Sequence, residues 1–419
     1  MNTGKAINFR FKPSPLGPIP EDWEVVRLGD VAQSYKDSLM PHAFTGKIYV
    51  GLEHVKPGEM FMRQWGNSSD VNSLKYRFMR GDILYGKLRP YLDKAVIATS
   101  DGICSTDFIV MRVNRQKITQ EFLVFILHSS RFIRYATASM KGTNHPRTSW
   151  KALKKFQLPL PPLPEQKRIA GVLRTVDEAI EKVDEEIEHT ERLKRGLMQH
   201  LLTRGISHAR FKDTPIGKIP EKWEVVRLGE VTIKTEIVNP AEREIFDYID
   251  ISSINNSSQK IIAPKKIIGA EAPSRARKLV KSGDVIFATT RPYLKNIAVV
   301  PDELDGQICS TGFCVLRGDS KKIISDWIYL NVLTDRFIKR IIAKMKGATY
   351  PAVSDNDVFE EKIPLPPLPE QRKIAEILMT VDRKLELLRQ KRDHMERLKK
   401  GLMNDLLTGR RRLRVSNSS

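Results

Sequence analysis

The sequence predicts an α+β protein in which two similar α/β domains alternate with two long helices, as a pseudo-twofold internal repeat. The segment FKPSPLGPIPEDWEVVRLGD at 11–30 returns as FKDTPIGKIPEKWEVVRLGE at 211–230. The string PLPPLPEQ at 159–166 recurs without substitution at 364–371. Each copy of that string precedes apolar residues spaced alternately by four and three positions, as in a coiled coil. These three observations indicate a tandem duplication of one domain and one helix.

Short β-rich runs dominate each domain, and the sequence places the domains at residues 1–160 and 206–365. In the first copy the runs are WEVVRLG, GDILYGK, KAVIATS and DFIVMRV, separated by Gly, Pro and Asp. A helical segment is predicted near 119–134. The second copy repeats this order in three matching segments. GDILYGKLRPYLDK at 81–94 matches GDVIFATTRPYLKN at 283–296, and CSTDFIVMR at 104–112 matches CSTGFCVLR at 309–317. MKGTNHP at 140–146 matches MKGATYP at 345–351.

Spacer helices are predicted at 161–205 and 366–410, each starting where Pro164 or Pro369 suits a first helical turn. Because a whole domain joins the end of the first helix to the start of the second, we expect an antiparallel coiled coil. Two independent surface helices are the alternative. Residues 411–419 are predicted to form a disordered basic tail. The predicted coiled-coil positions are Ile169, Leu173, Val176, Ile180, Val183 and Ile187 in the first helix, and Ile374, Leu378, Val381, Leu385 and Leu388 in the second.

The charge balance indicates a polyanionic partner. The 419 residues carry a net charge of +21, to which the helical stretches 165–202 and 370–407 contribute −2 and +3. The basic excess therefore lies mostly on the domains, which favours nucleic acid as the partner. A merely soluble basic surface is the alternative.

Composition also bears on compartment and metal chemistry. No apolar run approaches the ~18–20 residues of a membrane span, and the N-terminus lacks the apolar core of a signal peptide, so we expect a cytoplasmic protein without membrane contact. Cys104, Cys309 and Cys314 form no CxxC pair, which favours buried thiols over a metal or redox site.

Three motifs, repeated in the same order in both copies, carry a specific resemblance. Each domain opens with P-IPE-WE--RLG, RPYL follows a GD strand, and LPPLPEQ--IA opens each helix. Over nearly its whole length the chain resembles the DNA-specificity (S) subunits of type I restriction–modification systems. The resemblance implies two target recognition domains that each read one half of an asymmetric bipartite site in double-stranded DNA. It also implies helices that space the domains and bind two methyltransferase (M) subunits, to which restriction (R) subunits add the nuclease.

The resemblance further implies a non-catalytic subunit without cofactors, with S-adenosylmethionine, ATP and Mg²⁺ expected on the partner subunits. The sequence contains no phosphate-binding P-loop, and its nearest approach to a methyltransferase motif, NPAE at 239–242, lacks the second proline and the aromatic residue. A loose nuclease-like pattern at 301–302 and 319–321 has no counterpart in the first copy, and surface loops explain it better. A stand-alone bivalent DNA-binding or architectural protein is the alternative function, and a coiled-coil scaffold without nucleic acid is a third.

The duplication suggests which residues contact DNA. Segments that differ between the copies, chiefly 31–80 and 231–282, should read different bases, whereas shared segments should be scaffold or contact phosphates. Side chains with the geometry to read base edges are Arg63, Gln64, Asn67, Asn255, Asn256, Arg275 and Arg277, and, after the MKG motif, His145, Arg147 and Tyr350. The shared basic residues that suit phosphates are Arg89 and Arg291 in RPYL, and Lys141 and Lys346 in MKG. Solvated surface is the alternative for each reader, and a core turn with Tyr91 and Tyr293 packed inside is the alternative for RPYL.

Overall fold

The chain forms two compact units. The first unit comprises residues 1–184 and 390–419, and the second comprises residues 185–389. Each unit contains one domain and part of each long helix, whereas the sequence places its divisions at the helix ends. The computed structural model describes residues 10–41, 46–256, 258–347 and 351–413.

An antiparallel sheet and a mixed sheet form most of the first domain. Successive residues of its central strand alternate between two hydrophobic clusters, Phe108 and Val110 in one, and Ile109 and Met111 in the other. This sheet is therefore buried on both faces, which explains the nearly continuous apolar run DFIVMRV. Its strand order is Ala95–Ile97, Ile83–Gly86, Phe108–Val113, Ala32–Tyr35. A second sheet has the order Ser38–Leu39, Lys75–Phe78, Gly102–Ser105, Ile48–Val50, Gly66–Asn67, with Gly102–Ser105 parallel to Ile48–Val50. Smaller pairs are Phe11–Lys12 with Ile19–Pro20, and Glu24–Arg27 with Gln157–Leu160.

The second domain repeats this arrangement. Phe313 and Val315 enter one cluster, and Cys314 and Leu316 enter the other. The corresponding sheets have the orders Thr232–Ile233, Phe313–Gly318, Val285–Ala288, Ile297–Val299, and Lys265–Ile268, Ile245–Ile249, Ile308–Ser310, Ala276–Leu279. Smaller pairs are Phe211–Lys212 with Ile219–Pro220, Glu224–Arg227 with Lys362–Leu365, and Ile254–Asn255 with Lys260–Ile261.

The aspartate of each repeated GD motif anchors the central strands. Asp82 is buried and accepts two hydrogen bonds from the Arg112 guanidinium, at 2.9 and 3.2 Å. Asp284 does the same with Arg317 at 2.9 and 2.7 Å. The motif is therefore structural, because each charge neutralises the other where water is largely excluded.

The helical segment predicted near 119–134 is two helices rather than one. Ser129 interrupts it with an extended backbone, and its hydroxyl accepts a hydrogen bond from the Phe132 amide at 3.3 Å. A serine in this position starts a new helix, because it satisfies one of the free amides of the first turn. The shorter helices are Leu28–Val31, Gln120–Leu127, Ser130–Ala138 and Trp150–Leu153 in the first unit, and Leu228–Val231, Ser325–Val332, Asp335–Ala343 and Asp355–Phe359 in the second.

The long helices span Leu163–Arg204 and Leu368–Leu407, where the sequence predicts 161–205 and 366–410. Most of the coiled-coil positions are buried, and Val176, Ile187 and Val381 are half-buried. At the start of each helix these residues join a domain core as well as the other helix. Ile169 and Leu173 share a cluster with Leu406 and Leu407 of the second helix, and Ile374 and Leu378 share one with Leu201 and Leu202 of the first.

Ion pairs within each unit show the direction of the helices. In the first unit Asp177 pairs with Lys399 at 2.6 Å and Asp184 with Arg392 at 2.5 Å. In the second, Glu186 pairs with Lys384 at 3.0 Å and Lys194 with Asp382. Residue numbers rise along one helix as they fall along the other, which confirms the antiparallel prediction and excludes two independent helices.

The glutamine of the repeated PEQ string ties each long helix to its domain. Gln166 is fully buried, and its Oε1 accepts from the Thr119 amide at 2.9 Å. Its Nε2 donates to the carbonyls of Lys117 and Pro161 at 2.9 and 2.8 Å. Gln371 makes the equivalent three bonds in the second unit, at 3.1, 3.0 and 2.8 Å. The glutamine of the repeated string therefore makes the same three bonds at both joints.

The glutamate of the same string accepts from a tryptophan and faces a basic side chain. Glu165 accepts from Trp23 Nε1 at 3.0 Å and from Arg412 Nε at 2.9 Å. Glu370 accepts from Trp223 Nε1 at 3.0 Å, and the Nε2 of His208 lies 2.7 Å from its Oε1. These contacts explain the tryptophan that both copies of P-IPE-WE share.

The first residues of the predicted tail are ordered. Arg412 also binds both oxygens of Asp22, at 2.7 Å each, and Leu413 packs against the core of the first unit. The prediction of a disordered tail from residue 411 is corrected at these residues, because a guanidinium between two carboxylates gains more than it loses by ordering. Residues 414–419 lie outside the described residues.

Candidate nucleic-acid interface

The RPYL and MKG motifs form one hydrogen-bonded structure in each unit, which we call the basic loop pair. In the first unit it comprises residues 87–92 and 140–148. The Arg89 amide donates to the Pro146 carbonyl at 2.9 Å, and Lys141 and Arg147 exchange backbone hydrogen bonds at 2.9 and 3.0 Å. The loops are distant in sequence, and only folding brings their basic side chains together.

The second unit builds the same loop pair from residues 289–294 and 345–353, of which 348–350 lie outside the described residues. The Arg291 amide donates to the Pro351 carbonyl at 2.9 Å, and Lys346 and Ala352 exchange bonds at 2.9 and 3.0 Å. The distances match those of the first unit within 0.1 Å. The two domains therefore share one backbone scaffold at this place.

The arginines of RPYL have a left-handed backbone conformation. Arg89 and Arg291 have φ of 49° and 50°, an uncommon region for a residue with a Cβ. Each precedes a 3₁₀ turn, Pro90–Leu92 or Pro292–Leu294, whose proline is buried. The arginine side chains are exposed. Backbone strain of this kind is concentrated at functional sites.

The alternative that RPYL is a core turn with packed tyrosines is wrong. Tyr91 and Tyr293 are 49% and 46% exposed. The prolines fill the core positions instead, so each motif presents an arginine and a tyrosine at the surface.

Other basic residues of the first loop pair are also accessible. Lys141 and His145 are exposed, and so is Lys346 in the second unit. Arg147 is held by Asp107, with Nε 2.7 Å from Oδ1 and Nη2 3.3 Å from Oδ2. The structure thus brings Arg89, Lys141, His145 and Arg147 together. Tyr350, the predicted reader in the second MKG loop, lies outside the described residues.

The predicted readers of the variable region in the first unit lie on a different segment. Arg63 forms an ion pair with Glu181 of the first long helix at 2.7 Å, and both side chains are exposed. Gln64 is exposed as well. The Oδ1 of Asn67 accepts from the Ser69 amide at 3.1 Å and caps a short turn. Lys75 of the same region is buried, so it is not a surface reader.

The predicted readers of the second unit occupy two turns. Asn255 is half-buried with its Oδ1 accepting from the Ser258 amide at 3.0 Å, and Asn256 is exposed. Arg277 Nε donates to the Ser274 carbonyl at 3.2 Å.

Arg275 is exposed, and its carbonyl accepts from the Thr311 amide at 2.8 Å. The carbonyl of Gly312, the residue after Thr311, accepts from the Thr289 amide of the second loop pair at 2.9 Å. Arg275 is therefore connected to the second loop pair through one turn.

Two further charged residues belong to this surface: Lys87, which the sequence comparison left without an assigned role, and Asp107 beside the loop pair, which sequence reasoning missed. Lys87 is half-buried, and burial lowers the pKa of its ammonium group, as do the neighbouring cations Lys36 and Arg147. Asp107 is the carboxylate beside it. The available signal was that these positions differ between copies, as Lys87 against Thr289 and Asp107 against Gly312, inside otherwise matching motifs.

The described residues hold no group of three or more His, Cys, Asp or Glu that could bind a metal ion. Cys104, Cys309 and Cys314 are all buried, and burial raises the pKa of the Cys309 thiol to about 12. Within the same part of the chain, no helix is both long enough and apolar enough to cross a bilayer.

The sequence profile of the type I restriction modification DNA specificity domain matches residues 20–189 and 220–397. The chain belongs to this family. It is 29% identical over 426 residues to the type I restriction enzyme MjaVIII specificity subunit of Methanocaldococcus jannaschii, covering 95% of each chain. Each unit described above therefore carries one copy of this specificity domain, with its loop pair inside the matched residues.

Solved structures show the same fold. The S subunit of a type I restriction-modification system from M. genitalium superposes with a TM-score of 0.59 at 16% identity, covering 96% of this chain and 97% of that one. A chain from a type I R-M system solved to describe complex assembly and conformational transition gives 0.57 at 23% identity, covering 93% and 99%. These likenesses confirm the predicted fold class, two recognition domains joined by long helices.

Proposed function

We propose that this specificity subunit reads an asymmetric bipartite site in duplex DNA, with each domain reading one half, and directs methyltransferase and restriction subunits to it. One observation carries the proposal. The two loop pairs have matching backbone hydrogen bonds and share exposed basic residues, while the predicted reading segments around them differ. Shared cations suit the phosphates of any sequence, and different neighbours suit two different half-sites.

The long helices support recruitment of two M subunits. Both contain the sequence ERLK, and its leucines, Leu193 and Leu398, are 49% and 48% exposed. One lies in each unit. A leucine exposed in the same motif of both helices is a candidate contact for the two M subunits in this proposal.

Catalysis and cofactors belong to the partners in this proposal. S-adenosylmethionine would bind to the M subunits, and ATP and Mg²⁺ to the assembled complex with R subunits. The chain itself would supply DNA recognition without chemistry, in the cytoplasm.

The first test pairs matched variants of the two loop pairs. Lys141→Ala and Lys346→Ala each remove one proposed phosphate contact. In the complex with cognate M subunits, each should reduce the magnitude of the negative slope of log binding constant against log salt concentration by about 0.9. Neither should change the sequence that is methylated, since phosphates carry no base identity.

The second test exchanges residues 31–80 for the same segment of another family member. Methylation mapping of the reconstituted complex should show one altered half-site and one unaltered half-site. Two altered half-sites, or none, would contradict the division of labour between domains. A chain that binds its site tightly yet never retains an M subunit would support the stand-alone DNA-binding protein instead.

A further inference from the structure

The two basic loop pairs differ in side-chain chemistry at positions whose backbones are equivalent. In the first unit the Lys87 amide donates to the Asp107 carbonyl at 2.8 Å, and the Thr148 amide donates to the Lys87 carbonyl at 3.0 Å. The corresponding bonds of the second unit measure 2.9 and 3.0 Å. The backbone hydrogen bonds are therefore the same in both units, and three charged side chains occur at these positions in the first unit only. They are Lys87, Asp107 and Arg147, against Thr289, Gly312 and Ala352.

Asp107 holds the Arg147 guanidinium in a two-pronged ion pair. Its Oδ1 accepts from Nε at 2.7 Å and its Oδ2 from Nη2 at 3.3 Å, and this pairing raises the pKa of Arg147. Nη1 donates to the His145 carbonyl at 3.2 Å. The arginine side chain is still 41% exposed. A long side chain fixed in this way loses little conformational entropy when it binds a ligand.

These bonds leave donors on the terminal nitrogens of Arg147. A guanidinium has five N–H groups, and its contacts with Asp107 and His145 use three of them. One N–H remains on Nη1 and one on Nη2. Two such donors are what arginine uses to bind O6 and N7 of guanine, the commonest specific contact in the major groove.

Among the described residues of the second loop pair, the positions equivalent to Lys87, Asp107 and Arg147 carry no charged side chain. The Thr289 hydroxyl donates to the Gly312 carbonyl at 2.9 Å, so its proton is already used within the fold. Ala352, which corresponds to Arg147, has no side-chain donor. The shared cations Arg291 and Lys346 remain exposed beside it. The two loop pairs therefore share their backbone and the exposed cations proposed to contact phosphates. They differ in whether an arginine with donors suited to a base edge stands at position 147 or its equivalent.

We infer that Arg147, positioned by Asp107, reads a guanine in the half-site of the first domain. The inference rests on the proposed function and specifies one determinant of its sequence preference. Asp107 is a positioning residue, since its carboxylate acts on DNA only through Arg147.

The test uses the full chain assembled with its cognate M subunits and a library of random duplexes. Sequencing of bound or methylated DNA gives the preference for each base at each position. The unaltered complex should require guanine at one position of one half-site. Arg147→Ala should reduce that preference by roughly 5- to 150-fold and leave the other positions and the whole second half-site unchanged.

Two further variants separate reading from loop support. Arg147→Lys keeps the charge but lacks the rigid planar pair of donors and the two-pronged pair with Asp107, so it should weaken the guanine preference while binding all sequences nearly as well. Asp107→Ala should weaken the same preference and no other. Lys141→Ala is the matched control and should weaken binding to every sequence equally. The preserved preference at the second half-site reports that each variant is folded and assembled.

The inference is overturned if Arg147→Ala retains the guanine preference, or if it weakens all sequences equally, as a phosphate contact would. It is also overturned if Arg147→Lys keeps full discrimination. If the unaltered complex selects no sequence at all, the proposed function itself fails, which is a separate result from a lost preference at one base.

Discussion

Removing the Arg412 guanidinium should lower the stability of the first unit far more than removing the His208 imidazole lowers the stability of the second unit. Arg412 binds Glu165, whose side chain is only 6% exposed, through Nε at 2.9 Å and Nη2 at 2.5 Å. In Arg412→Ala, Glu165 retains the Trp23 indole but loses its buried countercharge. Breaking a buried pair from one side costs about 3–5 kcal/mol. The pair with Asp22, which is half exposed, adds at most about 1 kcal/mol.

The equivalent position in the second unit is His208, which provides the control. In His208→Ala, Glu370 keeps the Trp223 indole at 3.0 Å and also the Ile206 amide at 3.1 Å. It is also more exposed than Glu165, at 17%. We therefore expect a loss of about 1 kcal/mol. The joint of the second unit is also covalently continuous, since the chain runs from the first long helix through Gly205 into the second domain.

The assay is urea unfolding of the full chain, followed by hydrogen exchange with peptide resolution. Arg412→Ala should lower the free energy of unfolding of the first unit by about 3 kcal/mol, and it should speed exchange in residues 19–27 and 163–173. His208→Ala should leave those peptides unchanged. If Arg412→Ala unfolds within 1 kcal/mol of the unaltered chain, or if both variants act equally, the buried ion pair does not hold this joint.

Three further outcomes are expected. Hydrogen bonds from Arg412 lower the pKa of Asp22. The stabilisation from this ion pair is therefore complete above the ordinary Asp pKa and is lost as pH falls through the lowered value. The difference in unfolding free energy between the unaltered chain and Arg412→Ala should narrow in urea titrations between pH 5 and 3. Asp284→Asn leaves the guanidinium of Arg317, which is 13% exposed, without its countercharge, so it should lower the free energy of unfolding by about 3 kcal/mol in thermal melts. Asp335→Asn changes an 84% exposed carboxylate and should lower it by under about 1 kcal/mol. Deleting one heptad from each long helix should shorten the gap between half-sites by about three base pairs, because a helix rises ~1.5 Å per residue and DNA ~3.4 Å per base pair. Methylation mapping should show this shorter gap with both half-sites intact. An unchanged gap would refute the role of the helices as spacers.

The local chemistry of this chain can be predicted from its sequence. The apolar spacing of Ile169, Leu173 and Ile180 predicts a long helix with one buried stripe, because that pattern depends only on neighbours along the chain. The runs GDILYGK and DFIVMRV predict strands for the same reason. Internal duplication adds more, since matching segments must have matching folds. The antiparallel direction also follows from the sequence, because an entire domain separates the two helices.

The identity of each contact across the sequence required the tertiary structure. Glu165 and Gln166 read as favourable residues for a helix start, but their partners Trp23, Thr119 and Arg412 are distant in the chain. No local pattern encodes such a pairing.

The candidate DNA-binding surface divides in the same way. Sequence comparison within the chain identified Arg89, Lys141 and Arg147 as candidates, because shared and divergent positions can be read directly from the repeat. Only the fold placed the RPYL and MKG loops in one hydrogen-bonded structure and set Asp107 against Arg147. Hydrogen bonds and ion pairs act over a few ångströms of space, whatever the separation in sequence, so the arrangement of these side chains was decided by tertiary packing.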